Sequence, residues 1–170
     1  MKWFGQTKLS SLEDLFCHEL QDLYDAENRL IDSMPKMVES AHSPLVRQAF
    51  QQHLEQTKRQ VSRLEQVFAQ IGREPERITC EAMKGLISEC DDIIDADADA
   101  DVRDAALIGV AQKVEHYEIA GYGTARTHAQ HLRHEGSVGL LQSTLDEERD
   151  SDKNLTRIAE QSVNLKAQHV

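Results

Sequence analysis

Five acidic residues in this chain stand where a helical core calls for apolar ones. Glu27, Glu115, Glu118, Glu148 and Asp152 each interrupt a run of apolar residues that recurs at steps of three and four. Folding would carry them inward, where an isolated carboxylate costs several kcal/mol unless it keeps its proton or meets a counter-charge. Five acids at one depth need a shared counter-charge, and inside a helical bundle that role commonly falls to a pair of metal ions. Glu115 and Glu118 are about 300° apart around a helix, and Glu148 and Asp152 about 40°, so each pair shares a face. Oxygen donors from facing helices suit iron, manganese or another divalent ion, and a carboxylate can bridge two of them.

The elements that must position these acids are legible as inward stripes. A first helix should start at Ser10 or Ser11, where Ser10…Glu13 and Ser11…Asp14 have capping-box spacing. Its stripe is Phe16, Leu20, Leu23, Glu27, Leu30, Met34, Met37 and Ala41, with Glu27 its lone charge, and Pro35 should kink it. A second helix should run from an N-cap at Ser43, with Pro44 next, to a stop at Gly72. Its stripe reads Phe50, Leu54, Thr57, Val61, Leu64, Phe68 and Ile71.

Residues 73–101 should form a crossover carrying a short helix near Thr79–Asp92. A connection of that length can span the height of a bundle and leave the second and third helices parallel. The third helix should follow Asp101 and reach about His134, with the stripe Ile108, Ala111, Glu115, Glu118, Tyr122, Ala125, Ala129 and Leu132. The fourth should begin after Gly136, with Ser137 as cap and the stripe Leu141, Leu145, Glu148, Asp152, Leu155 and Ala159. The acids then lie near the middle of their helices and meet in one layer.

Other groupings are weaker. His128, His131 and His134 recur every three residues and read as a solvated stripe that suits a helix C-terminus. His116 points about 100° away from Glu115. Asp95, Asp97, Asp99 and Asp101 resemble the start of a calcium loop, but the positions that would need Gly and Glu hold Ala100 and Ala106. Tyr122 lies on the core stripe within reach of a ligand carboxylate.

Composition narrows the field further. Lys and Arg number 19 against 30 Asp and Glu, a net charge of −11 that disfavours nucleic acid as a partner. Aromatic residues make up only 5% of the chain and there are only 3 Pro, which favours long helices over sheets. Cys17, Cys80 and Cys90 lack metal-knuckle spacing and fit a reducing cytoplasm. The segment Met1–Gln6 shows no apolar leader, and no run is long enough for a membrane span. One domain over residues 1–170 is expected, with the bundle at about 10–164.

The stretches Asp22–Glu27, His53–Thr57, Gln112–Ala120 and Glu147-Glu148…Asp152 resemble the YciF/YciE-type bacterial stress proteins. The likeness runs from about residue 10 to 160 and is most specific over Val114–Ala120. That family belongs to the ferritin-like superfamily, which includes rubrerythrin. The resemblance implies an all-α, ferritin-like antiparallel four-helix bundle with a long crossover, a di-iron-type centre, and a ferroxidase or oxidative-stress role. Carried over by residue, the rubrerythrin-like pattern places its first-helix Glu at Glu27 and its ExxE pair at Glu115 and Glu118. Its fourth-helix Glu falls at Glu148 and the histidine after it at Asp152. The second-helix ExxH falls on Glu55 and Lys58, and a charged ammonium offers no lone pair to a metal. By periodicity Glu55 points away from the seam, so either His53, or Glu55 after a local π-bulge, is the second-helix ligand.

Two functions follow as expectations. The first is a di-iron carboxylate protein taking metal ions and dioxygen or peroxide, and forming a homodimer. The alternative is a non-catalytic dimeric stress-response scaffold with a degenerate site, in which Lys58 replaces one metal charge.

Overall fold

Ser11 opens the first helix by a reciprocal cap. Its Oγ accepts the Asp14 N–H at 3.0 Å, and Asp14 Oδ2 accepts the Ser10 N–H at 3.0 Å. Helix α1 (Leu12–Ser40) follows and carries on through Pro35 to Ser40. All eight residues of its expected stripe are buried. The computed structural model describes residues 9–169, among which there is no β-strand. The Met1–Gln6 segment lies outside the described residues.

Helix α2 (Pro44–Gln70) begins at Ser43, but the Ser43 side chain makes no capping bond. Buried Asp104 acts instead, accepting the His42 N–H at 2.9 Å and the Ser43 N–H at 2.6 Å. The helix ends as expected at Gly72, whose φ of 68° suits a residue without Cβ. There the Arg73 N–H reaches Phe68 O at 2.9 Å and the Gly72 N–H reaches Ala69 O at 3.2 Å, a Schellman closure.

The crossover carries α3 (Glu81–Asp95), whose first turn is capped by Cys80 Sγ accepting the Met83 N–H at 3.4 Å. Asp25, buried on α1, fastens this connection. It accepts from Arg29 at 2.5 Å, Arg77 at 2.9 Å and the Cys80 N–H at 2.8 Å. Helix α4 (Ala100–His131) is capped by Asp99 rather than Asp101. It closes by a second Schellman turn, with Arg133 at φ 61°. Helix α5 (Glu135–Ile158) therefore starts earlier than Ser137. Ser137 is buried and donates to Gln70 Oε1 at 2.9 Å, and a Cβ on Gly136 would come within 2.8 Å of that same oxygen. A wide π-turn, Ala159–Val163, and the short α6 (Asn164–Ala167) complete the described chain.

The four long helices neighbour one another in the order α1–α2–α5–α4, closing back on α1, with α3 against α1 and α4. Asp104 near the start of α4 touches the start of α2, so these diagonal helices are parallel. His134, just before α5, meets Glu13 at the start of α1, so those two are parallel as well. The long crossover thus returns the chain to the end where α2 began. Two apolar clusters fill the bundle, one around Met34, Phe50, Ile108 and Leu155 and the other around Phe16, Leu64, Tyr122 and Leu141. The acidic layer lies at their junction.

Candidate metal centre

Helix α2 decides which residues face the acids. Its buried face is Val46, Ala49, Phe50, His53, Thr57, Gln60, Leu64, Val67 and Phe68; Phe50, Thr57, Leu64 and Phe68 belong to the expected stripe, while Leu54, Val61 and Ile71 of that stripe are only half-buried. The helix is rotated from the expected setting because it packs against both α1 and α5. His53 and Gln60 are thereby turned inward.

One ligand atom from each of His53, Glu115, Glu118 and Glu148 lies within 4.8 Å of the other three, and all four side chains are buried. Glu27, fully buried, neighbours Glu118, and Glu115 neighbours Glu148, so that each carboxyl group influences the other's titration. Two carboxyl groups so close repel unless a proton or a cation lies between them. Around this group a hydrogen-bonded rim fixes orientation. Tyr122 Oη donates to Glu27 Oε1. Gln60 Nε2 donates to Glu148 Oε1 and, at 3.2 Å, to Glu147 Oε2. Glu147 is held in turn by Arg63 through two contacts of 2.6 Å. Ser151 Oγ donates to Glu115 Oε1 at 2.7 Å and lies 3.2 Å from His53 Nδ1.

The electrostatics follow from burial. Desolvation pushes the carboxyl groups of Glu27, Glu118 and Glu148 well above the usual range. It lifts Glu115 to about 7 against the pull of Glu148 and Ser151. Desolvation lowers His53, favouring the neutral imidazole that metals bind. Glu147 is the contrast: burial raises it, but Arg63 outweighs burial and holds it below its ordinary value.

Two expected ligands lie elsewhere. Glu55 is exposed and paired with Lys58 at 2.6 Å, since the α2 setting that admits His53 turns residue 55 outward. Lys58 is likewise exposed, so it supplies no charge to the acid layer. Asp152 accepts from Gln112 at 3.0 Å, lies 3.5 Å from His116, and its side chain is 21% exposed. The 40° offset from Glu148 swings it to the α4 flank, and Ser151, on the other side of Glu148, faces His53 instead. Ser151 and Gln60 were not among the expected site residues. Their signal was spacing: Ser151 follows Glu148 by three, and Gln60 extends the polar series His53, Thr57 at steps of four and three.

Whether a metal fits is answered by the atoms left over. Among the described residues no donor reaches Glu27 Oε2, Glu115 Oε2, Glu148 Oε2 or either oxygen of Glu118, and His53 Nε2 has no partner. All are buried acceptors, and no lysine or arginine of the described chain pairs with these four glutamates. Buried polar atoms are rarely left in that state. A His/Glu group of this kind could hold a metal ion.

An all-α bundle with a buried histidine–glutamate group at mid-height is consistent with the ferritin-like superfamily. The family model described as a domain of unknown function (DUF892) matches residues 11–168, and the chain belongs to that family. The protein YciF of Escherichia coli K12 is 42% identical over 162 residues, covering 95% of this chain and 98% of that one. The crystal structure of this E. coli stress protein matches with a TM-score of 0.89, covering 92% of this chain and 99% of that one. YcfI of Rhodopseudomonas palustris, provisionally described as a structural protein, matches at 40% identity with a TM-score of 0.86, covering 90% and 98%. No described helix is long and apolar enough to cross a membrane.

Proposed function

We propose that this YciF-type protein binds two divalent ions, iron foremost with manganese as a substitute, among Glu27, His53, Glu115, Glu118 and Glu148, and that it oxidises Fe(II) in an oxidative-stress response. The reading is carried by one observation: a layer of buried carboxylate oxygens and an imidazole nitrogen that no donor of the described chain satisfies. Charge agrees, because four carboxylates neutralise two divalent ions and His53 is neutral. Binding releases whatever protons the carboxyl groups hold.

The iron would be substrate as well as occupant. Two Fe(II) each give up one electron. Dioxygen takes the pair with two protons and leaves as hydrogen peroxide; if peroxide is the oxidant, the same electrons and protons convert it to two waters. A homodimer is part of the proposal, drawn from the family likeness.

Aerobic Fe(II) oxidation by purified protein tests the reading. Wild type should outpace Glu115→Ala by a wide margin, and equal rates would overturn it. The alternative, a non-catalytic scaffold, draws on the provisional structural description of YcfI. It predicts a melting temperature unmoved by added iron, whereas a ligand bound only by the native state must raise it.

A further inference from the structure

We propose that His116 on α4 and Asp152 on α5 form a surface capture site for a divalent transition-metal ion, which passes from there to the buried acids. The capture site stands on its own geometry, while the onward passage rests on the iron-binding reading above. His116 Nε2 and Asp152 Oδ1 face each other across the two helices at 3.5 Å. A charge-assisted hydrogen bond between such groups measures about 2.7–2.9 Å, so the two atoms are not closed on one another. Metal–ligand bonds of about 2.0–2.2 Å, at tetrahedral or octahedral angles, set two donors on one ion roughly 3–3.4 Å apart. The pair is spaced nearly as two ligands of a single ion need to be.

The surroundings orient the carboxylate and leave it free of fixed positive charge. Gln112 Nε2 donates to Asp152 Oδ1 at 3.0 Å and to Thr156 Oγ1 at 2.8 Å, a tie that spans α4 and α5. The neighbouring lysines are engaged elsewhere, Lys113 with Glu89 at 2.5 Å and Lys153 with Asp150 at 3.1 Å. Among the described residues Asp152 has no lysine or arginine partner. The His116 side chain is 69% exposed, so water can complete the coordination of an ion held there.

The donor set selects the cation. An imidazole with a carboxylate suits iron, zinc or another transition-metal ion, whereas calcium and magnesium favour oxygen donors alone. Two protein ligands also make a weak site, and a way-station must bind weakly enough to let its ion go. The position fits that role. His116 directly follows Glu115 on α4, and Asp152 lies one turn beyond Glu148 on α5. The Asp152 carboxylate is near enough to Glu115 to oppose its ionisation. An ion at this flank has only the α4–α5 seam to cross before it meets the buried layer.

The histidine ring resonances of metal-free protein, followed through titrations with Zn(II) and separately with Ca(II), test the capture site. Zn(II) should move the His116 ring at several-fold lower concentration than the ring of exposed His131. Asp152→Asn, which keeps the shape of the side chain, should weaken the His116 response several-fold, and Ca(II) should not produce it. A His116 ring no more responsive than His131, or equally responsive in Asp152→Asn, overturns the site, and an equal response to Ca(II) overturns ligation by the imidazole. Onward passage has its own readout in His116→Ala. Loading and unloading of the buried centre should both slow by the same several-fold factor with equilibrium affinity unchanged, because a way-station alters the barrier in both directions. Unchanged rates, or a changed affinity, overturn the passage. If Zn(II) moves His116 but never His53, the buried-centre reading falls together with the passage, and the capture site stands.

Discussion

Ser151 Oγ sits between two members of the candidate centre, 2.7 Å from Glu115 Oε1 and 3.2 Å from His53 Nδ1. A hydroxyl has one proton to donate, and here it goes to Glu115. With Glu115 ionised and accepting that proton, the tautomer that lets His53 Nδ1 donate to the hydroxyl oxygen places the lone pair on Nε2, the buried nitrogen without a partner. A metal ligand so oriented by a neighbour is the usual arrangement for histidine. Ser151→Ala should leave the fold intact and weaken metal binding by about 10–100-fold. Competition against a chelator of known affinity checks this, and unchanged affinity would remove Ser151 from the site.

Glu118 offers a sharper contrast between metal-free and loaded protein. Neither of its oxygens is reached by a donor among the described residues. A buried carboxyl group with unsatisfied oxygens costs about 1–3 kcal/mol, which an apolar side chain of similar volume removes. Glu118→Met should therefore raise the melting temperature of metal-free protein, at roughly 2–4 °C per kcal/mol, while losing most of the rise that metal gives wild type. Calorimetry with and without Mn(II) or Fe(II) reads both effects.

The raised carboxyl groups make a directional claim about pH. A carboxyl held above its unfolded value binds more protons in the native state, so its contribution is fully present below the unfolded value. It is lost as pH rises through the folded one. Glu115 at about 7 gives a window from roughly 4.5 to 7, worth on the order of 3 kcal/mol. Glu27, Glu118 and Glu148 act in the same direction. His53, lowered by burial, opposes them as pH falls below its unfolded value, one group against four. Metal-free protein should lose stability between pH 5 and about 8, and bound metal should flatten that decline. Denaturant midpoints across this range, with and without metal, are the measurement.

Asp104 tests the scaffold alone. Its carboxylate satisfies two N–H groups at the start of α2, and it is fully buried. Asp104→Ala should cost about 2 kcal/mol or more through those unpaired donors. Asn, which keeps one acceptor oxygen, should restore part of the loss. Metal stoichiometry of the folded variant should not change.

The acids on α1 and α4 were legible in the sequence for a physical reason. Each interrupts a long seam whose other members are almost all apolar, and such a seam has only one way to face a core. Helix α2 lacks that clarity. Leu54, Val61 and Ile71 belong to the expected stripe yet are only half-buried, while His53, Gln60 and Val67, about one residue around, face inward once α5 is placed opposite them. Ser151 and Asp152 pose the same difficulty, flanking the Glu148 direction on opposite sides, and the neighbouring helix decides which turns inward. At the start of α2 a tertiary partner replaced a local one, Asp104 taking over the capping expected of Ser43 without moving the helix end.

Asp25 and Glu27 share one turn of α1 but answer burial differently. Asp25 is latched by two guanidinium groups and a backbone amide, so the crossover is secured by the polypeptide alone. None of those three bonds draws on the acid layer two residues further along the helix. Under the reading proposed above, an ion entering that layer would meet a crossover already tied to α1 by the chain's own groups.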